Sequence, residues 1–339
     1  MFLHNPLMNS RFDRVIVIGA SAGGIGALLE ITKALPPSFP APICIVQHIG
    51  RNRSVLPNLL SYQRANQAVH AIDGERLSAG KLYIAPPDRH LLLDGDRLVL
   101  THGPKENHAR PAIDPLFRSA AVSWGSRLIG VILTGQLDDG SAGLAAVQDC
   151  GGTTIVEDPG TAAQPEMPAS ALAAVRADFC VPLPEIAPLL LRLVGSMPPP
   201  PREAPDSVRR EVSINRGEAG VEDLKAIATP SLLTCPDCGG TLSEVLESRP
   251  LRFRCHTGHA FTLRTLERRQ TDDAEHALWN GVRALTEREL LLRRAAAVAQ
   301  ATGDAAQSAA AAAQADRVRE QIRTLEGIVE AAAPAGAAA

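Results

Sequence analysis

Val15-Ile16-Val17-Ile18-Gly19-Ala20-Ser21-Ala22-Gly23-Gly24 is the stretch that decides how the first half of this 339-residue chain is read. Four consecutive β-branched residues suit a strand buried on both faces, as in a parallel sheet. A glycine-rich turn follows, and residues 25–34 then carry helical spacing, which makes a strand–turn–helix unit. The pattern recurs. Ile43-Cys44-Ile45-Val46, Lys81-Leu82-Tyr83-Ile84-Ala85, residues 128–133 and Thr153-Thr154-Ile155-Val156 read as further buried strands, and 141–149 as a helix. Leu91-Leu92-Leu93 and Leu98-Val99-Leu100 flank Asp94-Gly95-Asp96 and predict a hairpin. Strand–helix alternation of this kind predicts an α/β fold with a doubly wound, mostly parallel sheet, whose ligands sit at the carboxyl ends of the strands.

The residues at those ends are the ones to weigh. Residues 19–23 fit the G-x-S-x-G pattern of a nucleophile elbow, in which a tight turn projects a serine and the next backbone N–H, here Ala22, faces a developing oxyanion. A phosphate-cradling glycine loop at a helix N-terminus fits the same string equally well. Against a dinucleotide site, Ser21 stands where the second glycine is needed; against a P-loop, no Lys-Ser/Thr follows. Gln47-His48 ends the second strand and puts an imidazole beside Ser21, where a neutral histidine serves as base. Thr134-Gly135-Gln136-Leu137-Asp138-Asp139-Gly140 follows the strand at 128–133; either acid could orient the histidine or cap the next helix. The order Ser, His, Asp differs from the Ser, Asp, His order of the α/β-hydrolases.

Residues 13–195 resemble the catalytic domain of the chemotaxis protein-glutamate methylesterases, the CheB family. Residues 19–24 are similar to that family's Gly-Ala-Ser-Thr-Gly-Gly loop, and Gln47-His48 to its Gln-His. Tyr83-Ile84-Ala85-Pro86-Pro87-Asp88-Arg89-His90 resembles Tyr-Ile-Ala-Pro-Gly-Asp-Lys/Arg-His, and Arg110-Pro111-Ala112-Ile113-Asp114 with Leu116-Phe117 resembles Arg-Pro-Ser-Val-Asp and Leu-Phe. Residues 130–135 with Asp139-Gly140 resemble Gly-Val-Ile-Leu-Thr-Gly-Met-Gly-Asn-Asp-Gly. The resemblance implies Ser21 as nucleophile, His48 as base and Asp139 as orienting acid, with Ala22 and Gln136 at the oxyanion. It implies hydrolysis of glutamate methyl esters on methyl-accepting chemotaxis receptors, with glutamine deamidation by the same path and no catalytic cofactor. Arg110 and Arg89 are candidates for holding receptor acidic groups, a surface salt bridge being the alternative for each. The chain departs from the pattern at Ala22 for Thr, Gln136-Leu137 for Met-Gly, Asp138 for Asn and Glu166 for Gly in Gly-Met-Pro. About 12 residues precede the first strand, too few for the N-terminal receiver domain that members often carry, so gating in cis is not expected. A receiver protein or a methyltransferase acting in trans is the partner class that this implies.

The rest of the chain reads as five pieces. Residues 196–230, with Pro198-Pro199-Pro200-Pro201, predict an extended linker. Residues 231–270 hold Cys235-Pro236-Asp237-Cys238 and Cys255-His256-Thr257-Gly258-His259, which is ligand spacing for a structural zinc. Cys235, Cys238, Cys255 and His259 are the expected ligands, His256 being the alternative fourth. Strands at 241–246 and 251–254 complete a zinc-ribbon-like module, similar to one that follows the catalytic domain in some stand-alone relatives. Leu278, Val282, Leu285, Glu289 and Leu292, then Val318, Ile322, Leu325 and Val329, predict a helical hairpin over 271–331. Residues 332–339 form an Ala/Pro/Gly tail, and 1–12 an N-terminal tail.

Composition narrows the function classes. At 45% hydrophobic and 21% charged residues the chain is ordinary globular material, and a net charge of −3 argues against a phosphate-binding surface over the whole molecule. Aromatics at 3% leave little for stacking single-stranded bases. Apolar runs stop well short of the roughly 20 residues of a membrane span, and no signal-peptide stretch precedes Val15, so the expected place is the cytoplasm. Six arginines between Arg249 and Arg269 read either as a basic face for an acidic partner or, less readily, for nucleic acid. Two other function classes stay open beside the esterase: a signalling scaffold that has lost catalysis, and a nucleic-acid-associated zinc-ribbon protein.

Overall fold

The computed structural model describes residues 12–49, 54–61 and 66–332. The tails read at 1–12 and 332–339 lie outside the described residues, apart from Phe12 and residue 332. The chain forms two units, Met1–Leu266 and Glu267–Ala339.

The first unit is built on β1 (Val15–Ala20), α1 (Gly24–Ala34), β2 (Ile43–Gln47), α2 (Leu56–Ser61), β3 (Gln67–His70) and β4 (Lys81–Ile84). The hairpin of β5 (His90–Asp94) and β6 (Arg97–Thr101) comes next, then α3 (Ile113–Trp124), β7 (Leu128–Ile132), α4 (Ser141–Asp149), β8 (Thr153–Glu157), α5 (Glu166–Ala174), β9 (Phe179–Val181) and α6 (Leu183–Val194). Seven strands pair in the order β3-β4-β2-β1-β7-β8-β9, every neighbouring pair parallel. Alternation along β1 feeds both faces. Val15 and Val17 pack with Ile113, Leu116, Leu144 and Val147, while Ile16 and Ile18 pack with Leu28, Ile31, Ile186 and Leu190. After β1 the chain builds outward to one side through β2, β4 and β3, then returns to the other side at β7. The switch point therefore lies between β1 and β7, and a crevice opens at their carboxyl ends, after Ala20 and Ile132.

Beyond β9 the structure differs from the sequence reading at 196–230. The proline-rich part, to Pro205, lacks regular structure, but α7 (Asp206–Arg216) and, after a short turn at 217–220, α8 (Val221–Ile227) follow. Val208, Val212 and Asn215 recur on one face of α7 and are buried with Glu211, so tertiary packing holds the helix in a segment where prolines dominated the composition. The cysteine-bearing segment is a four-stranded antiparallel sheet of β10 (Ala228–Thr234), β11 (Thr241–Val245), β12 (Arg252–Cys255) and β13 (Ala260–Thr262). β11 and β12 fall where strands were expected, and β10 and β13 add to them. α9 (Leu263–Ala301) starts directly after β13, earlier than the expected 271.

In the second unit, residues 267–301 of α9 and α10 (Ala305–Ala332) form an antiparallel hairpin turning at Gly303. Val282, Val318 and Ile322 are its core, with Leu285, Leu292 and Leu325 against them. Glu289 accepts from Arg319 at 2.8 Å, and Arg293 donates to Asp316 at 2.7 Å; these cross-helix pairs fix the register.

Candidate active site

Two glycines of the turn after β1 are required by its geometry. Gly23 has φ +79°, the left-handed region, and a Cβ on Gly24 would lie 2.2 Å from Gln47 Oε1 and 2.7 Å from Ala20 Cβ. Gln47 Nε2 in turn donates to Ser21 O at 2.8 Å, and Ser21 N–H donates to Thr134 O at 3.0 Å. The loops after β1, β2 and β7 are thus tied together around Ser21, and α1 begins three residues later at Gly24.

His48, the first residue past β2, presents Nδ1 at 3.1 Å from Ser21 Oγ. Its other nitrogen, Nε2, lies 2.8 Å from Asp139 Oδ2. Of the two acids left open by the sequence, Asp139 is the one that meets the imidazole. Its Oδ2 also accepts the Ile113 N–H at 2.7 Å, and its Oδ1 accepts Asn107 Nδ2 and the Gly140 N–H, both at 3.0 Å, with the Asp114 N–H at 3.3 Å. Ile113 and Asp114 open α3, so the carboxylate sits at a helix N-terminus. Burial alone would raise the Asp139 carboxyl; the bond and charge of His48, with the Ile113 and Asn107 donors, outweigh it and hold the carboxyl below the usual range. Asp114, beside it, goes the other way: burial and the Asp139 charge push it up.

Asp138 faces elsewhere. Its Oδ1 accepts Thr262 Oγ1 at 2.8 Å and Thr265 Oγ1 at 2.9 Å, where β13 runs into α9. Leu137 stands at φ +63°, a conformation that favours glycine, and its N–H donates to Glu166 Oε2 at 3.0 Å. Arg264 Nη2 pairs with the same Glu166 oxygen at 3.0 Å. Gly135 N–H donates to Gln164 O at 3.0 Å. Gln136, between these two tethered amides, lines the cavity with Ser21, His48 and Asp139, a space of about 330 Å³ that Thr265 also borders. Arg110 lies on the rim, but its Nε and Nη2 donate to Asp88 Oδ1 at 3.0 and 2.8 Å and its Nη1 to Gly103 O at 2.7 Å. The hydrogen bonds of Arg110 and His102 hold the Asp88 carboxyl at about 2. The guanidinium is engaged within the protein, as the salt-bridge alternative has it.

The arginines read as a basic face are largely internal partners. Arg252 and Arg254 are buried and bind Glu211 and Glu106, Arg249 pairs with Asp149, Arg264 with Glu166 and Arg269 with Asp273. Sequence reasoning missed Asn107, Glu106, Thr262 and Thr265. Lys105-Glu106-Asn107-His108 carries no motif, and its importance comes from contacts with residues more than a hundred positions away.

A serine whose hydroxyl meets a histidine that is itself held by a buried carboxylate, at the switch point of a doubly wound sheet, defines a serine hydrolase outside the α/β-hydrolase order. The family model of the CheB methylesterases matches residues 16–190, half of the chain, and the protein belongs to that family. A putative protein-glutamate methylesterase/protein-glutamine glutaminase of Leptospira interrogans serogroup Icterohaemorrhagiae serovar copenhageni is 42% identical over 180 residues, 52% of this chain and 93% of its own. A protein-glutamate methylesterase/protein-glutamine glutaminase of Anaeromyxobacter dehalogenans is 40% identical over 173 residues, 51% of each chain. The crystal structure of the Thermotoga maritima CheB methylesterase catalytic domain is similar with a TM-score of 0.51 and 37% identity, over 53% of this chain and 98% of that one. Among the described residues no helix is long and apolar enough to cross a membrane.

Proposed function

We propose that this protein is a protein-glutamate methylesterase that acts on methylated glutamates of chemotaxis receptors, and that deamidates glutamines in the same site. The observation that carries the reading is the unbroken chain from Ser21 Oγ to His48 Nδ1 and from His48 Nε2 to Asp139 Oδ2, at 3.1 and 2.8 Å. In this reading Asp139 accepts the Nε2–H and so leaves Nδ1 free of a proton, ready to accept the Ser21 hydroxyl proton. Ser21 Oγ attacks the ester carbonyl. The backbone N–H groups of Ala22, at the mouth of α1, and Gln136 serve the oxyanion. His48 returns the proton to the methoxide as methanol leaves. Water, deprotonated by His48, then releases the glutamate from the acyl-enzyme and restores Ser21. With a glutamine substrate the leaving group is ammonia.

In the same reading residues 13–195 are the catalytic domain, 231–270 a metal-binding module and 271–331 a helical hairpin. The protein works in the cytoplasm, where the receptors present their methylated helices, and a receiver protein or methyltransferase is its partner in trans. The test is methanol release from a methylated receptor cytoplasmic fragment. Release by the wild type and none by Ser21→Ala supports the reading; equal release by both removes Ser21 from the mechanism.

A further inference from the structure

Cys235, Cys238, Cys255 and His259 come together on two tight turns. Gly239 N–H donates to Cys235 O at 2.7 Å in one, and Gly258 N–H to Cys255 O at 2.9 Å in the other. Their four ligand atoms lie within 4.8 Å of one another. Cys238 Sγ is 3.7 Å from Cys255 Sγ, and His259 Nδ1 is 3.7 Å from Cys235 Sγ and 3.6 Å from Cys255 Sγ. A disulfide would need sulfurs about 2 Å apart. A tetrahedral zinc with bonds of about 2.3 Å to sulfur and 2.0 Å to nitrogen needs S···S edges of about 3.8 Å and S···N edges of about 3.6 Å. The three edges Cys238–Cys255, Cys235–His259 and Cys255–His259 agree with that tetrahedron. Three thiolates and one imidazole fill the coordination sphere, so such a site has no open position for a substrate.

Both turns bear on loop 105–109, which borders the catalytic cavity. Asp237, between the first two cysteines, pairs with His108 Nδ1 at 3.2 Å. Past His259, the Ala260 carbonyl accepts the Asn107 N–H at 2.8 Å, and the Thr262 N–H donates to Asn107 Oδ1 at 3.0 Å. Asn107 and His108 stand consecutively at φ +48° and +61°, a conformation two such residues hold only when their surroundings impose it. The imposed geometry delivers Asn107 Nδ2 to Asp139 Oδ1 at 3.0 Å and to Asp114 Oδ2 at 3.1 Å.

We propose that Cys235, Cys238, Cys255 and His259 bind a structural zinc ion, and that the ion, by fixing both turns, holds Asn107 on the Asp139 carboxylate and so positions the triad. The second half of the proposal rests on the esterase reading above; the first half stands without it. Asp139 keeps its backbone donors when Asn107 is lost, so the effect on Ser21 is partial, about tenfold rather than total.

The test uses the full chain. Metal analysis is expected to give one zinc per chain, lost in Cys238→Ser, and cobalt substitution to give the absorption of a tetrahedral thiolate site. Chelation is expected to raise backbone hydrogen exchange over residues 105–109 and to slow phosphonate labelling of Ser21 about tenfold, with zinc restoring both. Asn107→Ala, which keeps every ligand, is expected to retain zinc, to label as slowly as the stripped wild type, and to lose little more on chelation. Free thiols at Cys235, Cys238 and Cys255, beyond the exposed Cys180, and no bound zinc overturn the site. Bound zinc whose removal leaves both labelling and exchange unchanged overturns the coupling. If Ser21 in the zinc-loaded chain does not label at all, the esterase reading fails, and metal content and exchange over 105–109 still decide this one.

Discussion

Glu211→Gln is the substitution that most directly weighs the joint between the sheet domain and the cysteine-bearing sheet. Glu211, on α7, is buried with a side chain 3% exposed; it accepts Arg252 Nη2 and Nη1 at 2.6 and 2.7 Å and Arg254 Nη2 at 3.1 Å. Glu106 completes the cluster with Arg118, Arg254 and Asn215. Burial alone would raise the Glu211 carboxyl, but Arg252, Arg118 and Arg254 carry it from an ordinary 4.5 to about 2. That displacement corresponds to roughly 3 kcal/mol of folding free energy at neutral pH. Removing one member of a buried ion pair costs about 3–5 kcal/mol, because the partner charge stays buried without compensation. The two routes agree, so Glu211→Gln should cost about 3–4 kcal/mol at pH 7. Because the folded value is depressed, the contribution is complete above 4.5 and is lost as pH falls toward 2; roughly half remains near pH 3. Guanidinium denaturation followed by Trp124, with Trp279→Phe in both chains so that only the first unit reports, measures it. A loss under about 1 kcal/mol at pH 7, or a difference that does not narrow toward pH 3, would refute the reasoning.

Two further substitutions probe the triad. Asp139→Asn keeps the size of the side chain but removes the carboxylate that holds the imidazole; methanol release should fall about 10³–10⁴-fold. Since the Asp139 carboxyl is depressed, its stabilising contribution is present above 3.8 and lost as pH falls through its lower folded value, so the stability gap between the Asp139→Asn variant and wild type should shrink in acid. Gly135→Ala places a Cβ 2.8 Å from the Met167 Sδ and Cε and 2.9 Å from Ser21 Cβ. Displacing the nucleophile should lower kcat about 10–100-fold while the secondary structure by circular dichroism is kept; an unchanged kcat would mean that Met167 alone yields.

What the sequence showed was set by local pattern. β1, β2, β4, β7 and β8 are apolar runs buried on both faces, and Ser21 and His48 were legible because they directly follow two of them. α3 does carry helical spacing, with apolar residues at Ile113, Leu116, Phe117, Ala120, Ala121 and Trp124; what the pattern hides is that ten of its 12 residues are buried, so the intervening Asp114, Arg118 and Ser119 face protein rather than solvent. β9 has three residues, too few to show alternation. Arg252 and Arg254 read as a basic face because a sequence displays the sign of a charge and not its partner; Glu211 and Glu106 lie 41 and 148 positions away. Asn107 is silent for the same reason, since its side-chain oxygen is held 155 positions downstream at Thr262.

The departures from the family pattern describe one contact rather than separate losses. Leu137 takes a glycine's conformation, and Glu166, itself standing where the pattern has glycine, accepts its N–H. Arg264 balances the Glu166 charge. Asp138, for the pattern's Asn, has no donor of its own when ionised, and its Oδ1 accepts from two, Thr262 and Thr265. Three of the differing residues thus touch one another or residues 262–265, on the far side of the loop that bears Asp139. A chain ending at residue 230 leaves Asp138 without the threonines and Glu166 without its arginine, while Leu137 keeps a backbone that costs about 1 kcal/mol or more. Its phosphonate labelling at Ser21 should therefore be slower than that of the full chain. Leu137→Gly, Asp138→Asn and Glu166→Gly together, which return the loop to the family's own residues, should recover in the short chain the part of the rate lost through this loop, though not the part owed to Asn107, whose contacts at Ala260 and Thr262 are also gone, and should recover little in the full one. Faster labelling of the short chain would instead make residues 231–339 an obstruction to the site, and equal labelling would make the contacts at 262–265 a matter of stability alone.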